Sequence, residues 1–320
     1  MSQQKPAILV PGKIHSRVLD RLQAEFDILT APQGAPLALD EADATRVRGI
    51  AVGGSVPASW MERLPNLEII ASFGVGYDGV DVGAAASRGI IVTNTPDVLD
   101  DEVADTTIAL LINTIRQLPQ AETYLREGRW ASSGPFPLSP LSLRGRHVGL
   151  FGLGRIGGEI AKRLEPFKVK ISYHTRRPKA DCPYGYHASL LDLAAAVDTL
   201  ICIVPKTAET HKAIDASVLK ALGANGVLIN VGRGWSVDED ALIAALQDGT
   251  IAAAGLDVFQ EEPEVPQALI DLPNASLLPH VASASVPTRS AMADLVADNL
   301  ISWFGKGTVL TPVPETPQKR

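Results

Sequence analysis

Three side chains in the second half of the chain are of types that can together manage an organic anion and a proton: Arg233, Glu262 and His280. Each comes just after an apolar run that reads as a strand, at 226–231, 252–259 and 275–278. A guanidinium grips a carboxylate at two points and can polarise a neighbouring carbonyl. An imidazole exchanges a proton near neutral pH, and a carboxylate beside it favours the protonated ring and fixes its orientation. Each residue also has a plainer reading. Arg233 lies between two glycines and suits a turn, His280 follows Pro279 in a loop, and Glu262 is one of several acids in 260–264. Spacing alone does not assemble them. His15, His147, His174, His187 and His211 have no comparable setting.

What joins these positions to a reaction is the stretch from His147 to Arg177. An apolar run, Val148 to Phe151, leads into Gly152-Leu153-Gly154-Arg155-Ile156-Gly157. A helical segment (158–167) and a second strand (169–173) complete a β-α-β unit. In such a G-x-G-x-x-G the first glycine allows the turn, the second admits a pyrophosphate and the third lets helix and strand pack. The free N–H groups at the helix start favour the phosphates. After the second strand an NAD site usually carries an acid for the ribose hydroxyls. Here the residues are His174-Thr175-Arg176-Arg177, with no carboxylate before Asp181. A hydroxyl and two guanidinium groups would hold a 2′-phosphate by bonds of about 1.5–3 kcal/mol each. The cofactor expected is therefore NADP(H) rather than NAD(H), the alternative being that both arginines are solvated loop charges.

A second G-x-G-x-x-G, Gly74-Val75-Gly76-Tyr77-Asp78-Gly79, also follows a strand. The segment after it, 80–88, is short and contains Gly83, which suits a dinucleotide unit poorly. The Val75 and Gly76 N–H groups at a strand end suit a small carboxylate instead.

The remaining chain bounds the reading. With 320 residues and 46% hydrophobic composition, two globular α/β domains are expected. A net charge of -7 argues against nucleic acid as a partner. Two cysteines make no disulfide framework, no Cys/His spacing suggests a metal, and no apolar run reaches membrane-spanning length. The polar start, Met1 to Pro6, has no signal-peptide core, so a cytoplasmic location is expected. Strands are read at 7–10, 26–29, 49–52, 67–73 and 90–93. A long helix is read over 99–118, an arm or loop over 119–145, a last helix over 287–304, and a loosely ordered tail from Thr308.

In order and spacing, these motifs resemble the D-isomer-specific 2-hydroxyacid dehydrogenase family over nearly the whole chain. The likeness is carried by Gly74 to Asp78, Gly152 to Gly157, Asn230 to Gly234, Gly255 to Phe259 with Glu262-Pro263, and Pro279-His280. It implies two doubly wound, Rossmann-like lobes with an active-site cleft between them. One lobe would comprise 1–98 with 286–320, and the cofactor lobe 99–285. The resemblance implies Arg233, Glu262 and His280 as the catalytic set, with Arg233 also near the cofactor. The substrate carboxylate would lie on Val75 and Gly76, near Val52, Gly53, Gly54 and Ser283. Asp257 would hold the nicotinamide amide with Thr107 nearby, and Val204, Pro205, Thr210 and Val231 would border the cofactor. Thr175-Arg176 matches NADP-preferring members. Within the family the likeness is greatest to glyoxylate/hydroxypyruvate and hydroxyphenylpyruvate reductases. This implies reduction of a small 2-keto acid in a homodimer joined through the cofactor lobe, with the 119–145 arm reaching to the partner. Ala282 departs from the glycine that many members have there. Rival readings are an NAD-dependent dehydrogenase of another D-hydroxy acid, and a nucleotide-sensing interaction protein without turnover.

Overall fold

The computed structural model describes residues 5–34 and 36–317. The reading of the first residues as free of a signal core falls partly on Met1 to Gln4, outside that range. The chain divides into two compact units, one running through Leu99 and resuming at Ser285, the other spanning Asp100–Ala284.

The first unit is built on five parallel strands, β1 (Ala7–Pro11), β2 (Asp27–Ala31), β3 (Val47–Val52), β4 (Ile69–Ser72) and β5 (Ile91–Thr93), in the order β2-β1-β3-β4-β5. β1, β4 and β5 are buried along their whole length, as continuous apolar strands must be when helices cover both faces. The helices between them are short: α1 (Ser16–Leu22), α2 (Glu41–Arg46), α3 (Ala58–Arg63) and α4 (Val82–Ser87). α2 and α4 start on the aspartate caps Asp40 and Asp81. α4 has six residues and begins three residues past Gly79, too short a helix to cradle a pyrophosphate. As far as Thr316 the tail is not loose. Val313 is buried, its N–H is donated to Val92 O at 3.0 Å, and the Thr316 hydroxyl is donated to the same oxygen at 2.8 Å. An apolar side chain and free strand-edge groups give this proline-rich stretch a place beside β5.

The second unit begins with α5 (Asp100–Arg116), α6 (Leu118–Arg126) and α7 (Arg129–Ser133). Here the structure corrects two expectations. The long helix stops at Arg116 because Gln117 takes a left-handed conformation (φ 53°, ψ 41°). Pro119 does not end helix but sits in the first turn of α6, where a missing N–H costs nothing. The expected arm is therefore helical to Ser133. Seven parallel strands follow: β6 (His147–Phe151), β7 (Lys170–His174), β8 (Gly185–His187), β9 (Thr199–Cys202), β10 (Val227–Asn230), β11 (Ala253–Leu256) and β12 (Ala275–Leu277). Except between β7 and β8, they alternate with α8 (Arg155–Leu164), α9 (Leu190–Ala196), α10 (Ala216–Leu222), α11 (Glu239–Gln247) and α12 (Gln267–Ile270). The sheet order is β12-β11-β10-β9-β6-β7-β8, so strand succession reverses between β6 and β9, the place where open α/β sheets bind ligands. The chain then returns to the first unit as α13 (Val286–Lys306). Among the described residues no helix is long and apolar enough to cross a membrane, and no group of three or more His, Cys, Asp or Glu is placed to hold a metal.

Candidate active site

The cofactor loop leaves β6 at the switch point and opens α8. Gly152 has φ +100°, and a Cβ there would meet the Ile203 carbonyl oxygen at 2.7 Å. A Cβ on Gly157 would meet Gly152 O at 2.5 Å, so this glycine sets the distance between helix and loop. A Cβ on Gly154 would meet nothing within 4 Å. The loop thus presents an open, side-chain-free face above the first amides of α8, a cradle that fits a pyrophosphate. Ile156 lies in the first turn, and the Arg155 Nε sits 3.5 Å from Asp100 Oδ2.

Beyond β7, His174 stacks on Phe151 with ring centroids 5.8 Å apart, and its Nδ1 lies 2.9 Å from His187 O. A carbonyl only accepts, so Nδ1 carries the hydrogen. The Thr175 hydroxyl is donated to Arg177 O at 2.7 Å and shapes the turn that holds Arg176 and Arg177. One acid that the sequence did not single out feels the charge of Arg176. The Glu209 carboxyl is held below its ordinary range by its own backbone N–H, the Thr207 hydroxyl and the charge of Arg176. The Thr210 hydroxyl takes the Thr207 N–H at 2.9 Å and is donated to Pro205 O at 2.8 Å, closing the loop that follows buried Val204.

The three chemical side chains all follow strand ends of this sheet. Arg233 follows β10, where Asn230 builds the turn: its Oδ1 accepts the Gly232 N–H at 3.1 Å and its Nδ2 is donated to Arg233 O at 3.0 Å. The buried Val231 continues β10, its N–H donated to Cys202 O. Glu262 and His280 come together, His280 Nδ1 lying 2.6 Å from Glu262 Oε2. Glu262 Oε1 accepts the Phe259 N–H at 2.9 Å. Burial pushes the Glu262 carboxyl upward, but the His280 and Phe259 bonds and the charges of His280 and Arg233 outweigh it and leave it below its ordinary range. With Nδ1 committed to Glu262, the Nε2 of a protonated His280 is the position that can hand over a proton.

Asp257 is 1% exposed, and its two carboxylate oxygens accept the N–H groups of Val281 (2.7 Å) and Ala282 (2.9 Å). Its carbonyl accepts the His280 N–H at 2.9 Å. It therefore anchors the His280 segment, although burial pushes its carboxyl upward against those bonds. The methyl of Ala282 is buried and Ser283 is half-buried beyond it. Thr107 is fully buried with its hydroxyl returned to Val103 O, whereas Thr106 donates to Ala282 O at 3.1 Å. One residue along α5 turns the side chain by about 100°, so Thr106 is the threonine of this helix that meets the His280 segment.

In the first unit, Val52 is buried at the end of β3 and accepts the Phe73 N–H, while Gly53 and Gly54 are exposed beyond it. Asn94 Nδ2 holds Val75 O at 2.9 Å and the Thr95 N–H holds Gly74 O at 2.9 Å, which fixes the Val75-Gly76 turn past β4.

Comparison with known proteins agrees with this construction. The sequence profile of the D-isomer specific 2-hydroxyacid dehydrogenase, NAD binding domain, matches residues 108–282. A glyoxylate/hydroxypyruvate reductase A of Arabidopsis thaliana is 44% identical over 310 residues, covering 96% of this chain and 98% of that protein. The hydroxyphenylpyruvate reductase of Plectranthus scutellarioides is 47% identical over 256 residues, or 80% and 81% of the two chains. An NADPH-dependent glyoxylate/hydroxypyruvate reductase from Sinorhizobium meliloti, solved with NADP and malonate, superposes with a TM-score of 0.96 at 64% identity over 99% of each chain. The chain belongs to the D-isomer specific 2-hydroxyacid dehydrogenase family.

Proposed function

We propose that the protein is an NADPH-dependent reductase of small 2-keto acids, glyoxylate and hydroxypyruvate first among them. The observation that carries this reading is the 2.6 Å His280–Glu262 pair, set at strand ends of the same sheet that forms the open glycine cradle. Arg155, Ile156 and the Gly152–Gly157 loop would take the pyrophosphate, and Thr175, Arg176 and Arg177 the 2′-phosphate. When bound, the nicotinamide supplies hydride to C2 of the keto acid. Arg233 grips the carboxylate and draws charge toward the carbonyl oxygen. His280 Nε2 gives that oxygen its proton, and Glu262 holds the ring and supports its charged form. Asp257 keeps the His280 backbone in place. The Val75 and Gly76 amides, bordered by Val52, Gly53 and Gly54, are proposed as the first unit's contribution to carboxylate binding. The products would be D-2-hydroxy acids.

The relatives named above support the substrate class, since a glyoxylate/hydroxypyruvate reductase is among them. Support for NADPH comes from the three cationic or hydroxyl side chains past β7 and from the NADP bound to the Sinorhizobium protein. A second reading, use of NADH, is favoured by Glu209, whose carboxyl feels the charge of Arg176, because a carboxylate near that charge opposes a 2′-phosphate. Initial rates over a panel of 2-keto acids with NADPH and with NADH separate the two. The proposal stands if NADPH gives the larger kcat/KM with glyoxylate or hydroxypyruvate, and falls if no keto acid drives NADPH oxidation. We place the enzyme in the reducing cytoplasm, where Cys182 and Cys202 would stay as the free thiols seen here. We also propose that it works as a homodimer. Leu118, Leu125, Trp130 and Leu138 expose 43%, 55%, 65% and 95% of their surface along α6, α7 and the loop after them, apolar side chains suited to a second copy.

A further inference from the structure

The segments that carry Arg233 and Glu262 meet at one peptide, that joining Phe259 to Gln260. From the Arg233 side, Gly234 lies flat against it, and a Cβ at Gly234 would overlap the Phe259 carbonyl. Five residues later Glu239 opens α11, 8% exposed, and its Oε1 accepts the Gln260 N–H at 2.6 Å. The preceding N–H, of Phe259, goes to Glu262 Oε1 at 2.9 Å, and Glu262 Oε2 takes His280 Nδ1 at 2.6 Å. Two successive amides thus point at two carboxylates, one structural and one in the proposed chemistry.

Glu239 is an awkward residue to keep in this place. Burial pushes its carboxyl upward, and Asp240, Glu261 and Glu262 add to the push, while the Gln260 N–H opposes it. A buried acid among acids lowers stability unless its hydrogen bond fixes something. What it fixes is the plane of the 259–260 peptide, clamped between Gly234 and the Glu239 carboxylate. That plane limits the rotation of Phe259 and hence the direction of the N–H that seats Glu262. We infer that Glu239 is a positioning residue: by holding the Gln260 N–H it sets the 259–262 turn so that Glu262 meets His280. It touches no substrate, and its place in turnover rests on the proton-donor role proposed for His280.

The test compares Glu239→Gln, which keeps an acceptor oxygen, with Glu239→Met, which fills similar space without one. Glu239→Ala is a third variant, and Met serves should Ala fail to fold. Amide hydrogen exchange on the full chain, without substrate, reads the clamp directly. In the Met variant both Gln260 and Phe259 amides should exchange at least about tenfold faster, and in the Gln variant within about twofold of wild type. With NADPH and glyoxylate, kcat of the Met variant should fall by about tenfold to a hundredfold while KM for NADPH changes less than about twofold. Gln should restore most of kcat. Faster exchange confined to Gln260, with Phe259 unaffected, would overturn the inference, as would equal losses of kcat in the Gln and Met variants. If the wild type turned over no keto acid, the proposed activity would fall, and the Phe259 exchange rate would still decide the positioning.

Discussion

His280 is the residue on which the proposed chemistry turns, and its geometry gives a direct expectation. His280→Gln removes the proton donor but leaves the cofactor loop untouched. Its kcat should fall by about 10²–10⁴-fold, with NADPH affinity, read by fluorescence titration, little changed. Near-normal turnover would reassign the acid. Arg176→Ala should raise KM for NADPH by about tenfold or more and alter NADH little, since one charge-assisted phosphate bond is lost. Equal effects on both cofactors would return Arg176 to the status of a loop charge. The residues proposed for the chemistry were readable because each is a polar side chain just past an apolar strand. Their supports were harder to read. Thr106 and Glu209 act through a hydrogen bond or charge set by the tertiary fold, which no local pattern announces. Asp257 stood in a recognised motif, but the two backbone amides it holds, at Val281 and Ala282, lie far away in sequence.

Among the elements, the β6–α8 junction is the most exacting. Gly157→Ala places a methyl 2.5 Å from Gly152 O, so the helix must move away from the loop. It should cost about 1–3 kcal/mol in urea unfolding and weaken NADPH. Gly158→Ala is the control, because its Cβ meets nothing within 4 Å inside the same helix, and it should stabilise by about 0.5–1 kcal/mol. Equal effects from the two would mean that helix propensity, not the close approach, governs this junction. The strands that carry the site were legible as apolar runs. β8 was not, because Gly185–His187 has no apolar run and becomes a strand by pairing with Ser172–His174. The α6 helix was hidden by Pro119, which reads as a stop until Gln117 is known to turn the chain left-handed first.

For the molecule as a whole, the two neighbouring acids have opposite linkages. The Glu262 carboxyl lies below its ordinary 4.5, so its contribution to stability is present above that value and is lost as pH falls through the lowered one. The Asp257 carboxyl lies above its ordinary 3.8, so its ionisation costs stability at neutral pH, and that cost fades as the pH falls toward 3.8. Glu262→Gln should therefore flatten the loss of stability below pH 4.5 in a series of urea titrations. An unchanged slope would place the acid sensitivity elsewhere. Light scattering should give twice the chain mass, and Trp130→Asp with Leu138→Asp should halve it; a wild-type monomer would remove the dimer proposal. The two-unit α/β plan was legible from strand–helix alternation. The ordered tail was not, since its place depends on hydrogen bonds to Val92, far away in sequence.

The first unit is written in two pieces, and this has a consequence for how the protein is made. All five of its strands precede Leu99, yet α13, which covers one face of the sheet together with α1, begins only at Val286. Ala293, Val296, Ala297 and Leu300 of that helix pack over Ile8, Val10, Ile69 and Ala71. During translation at about 5–20 residues per second, that sheet face waits roughly 10–40 s while the second unit is synthesised. A chain cut short before Ser285 would join a complete nucleotide-binding unit to a sheet with one apolar face covered only in part, by Val18 and Leu22 of α1. Such truncated chains are the form that chaperones and proteases should capture.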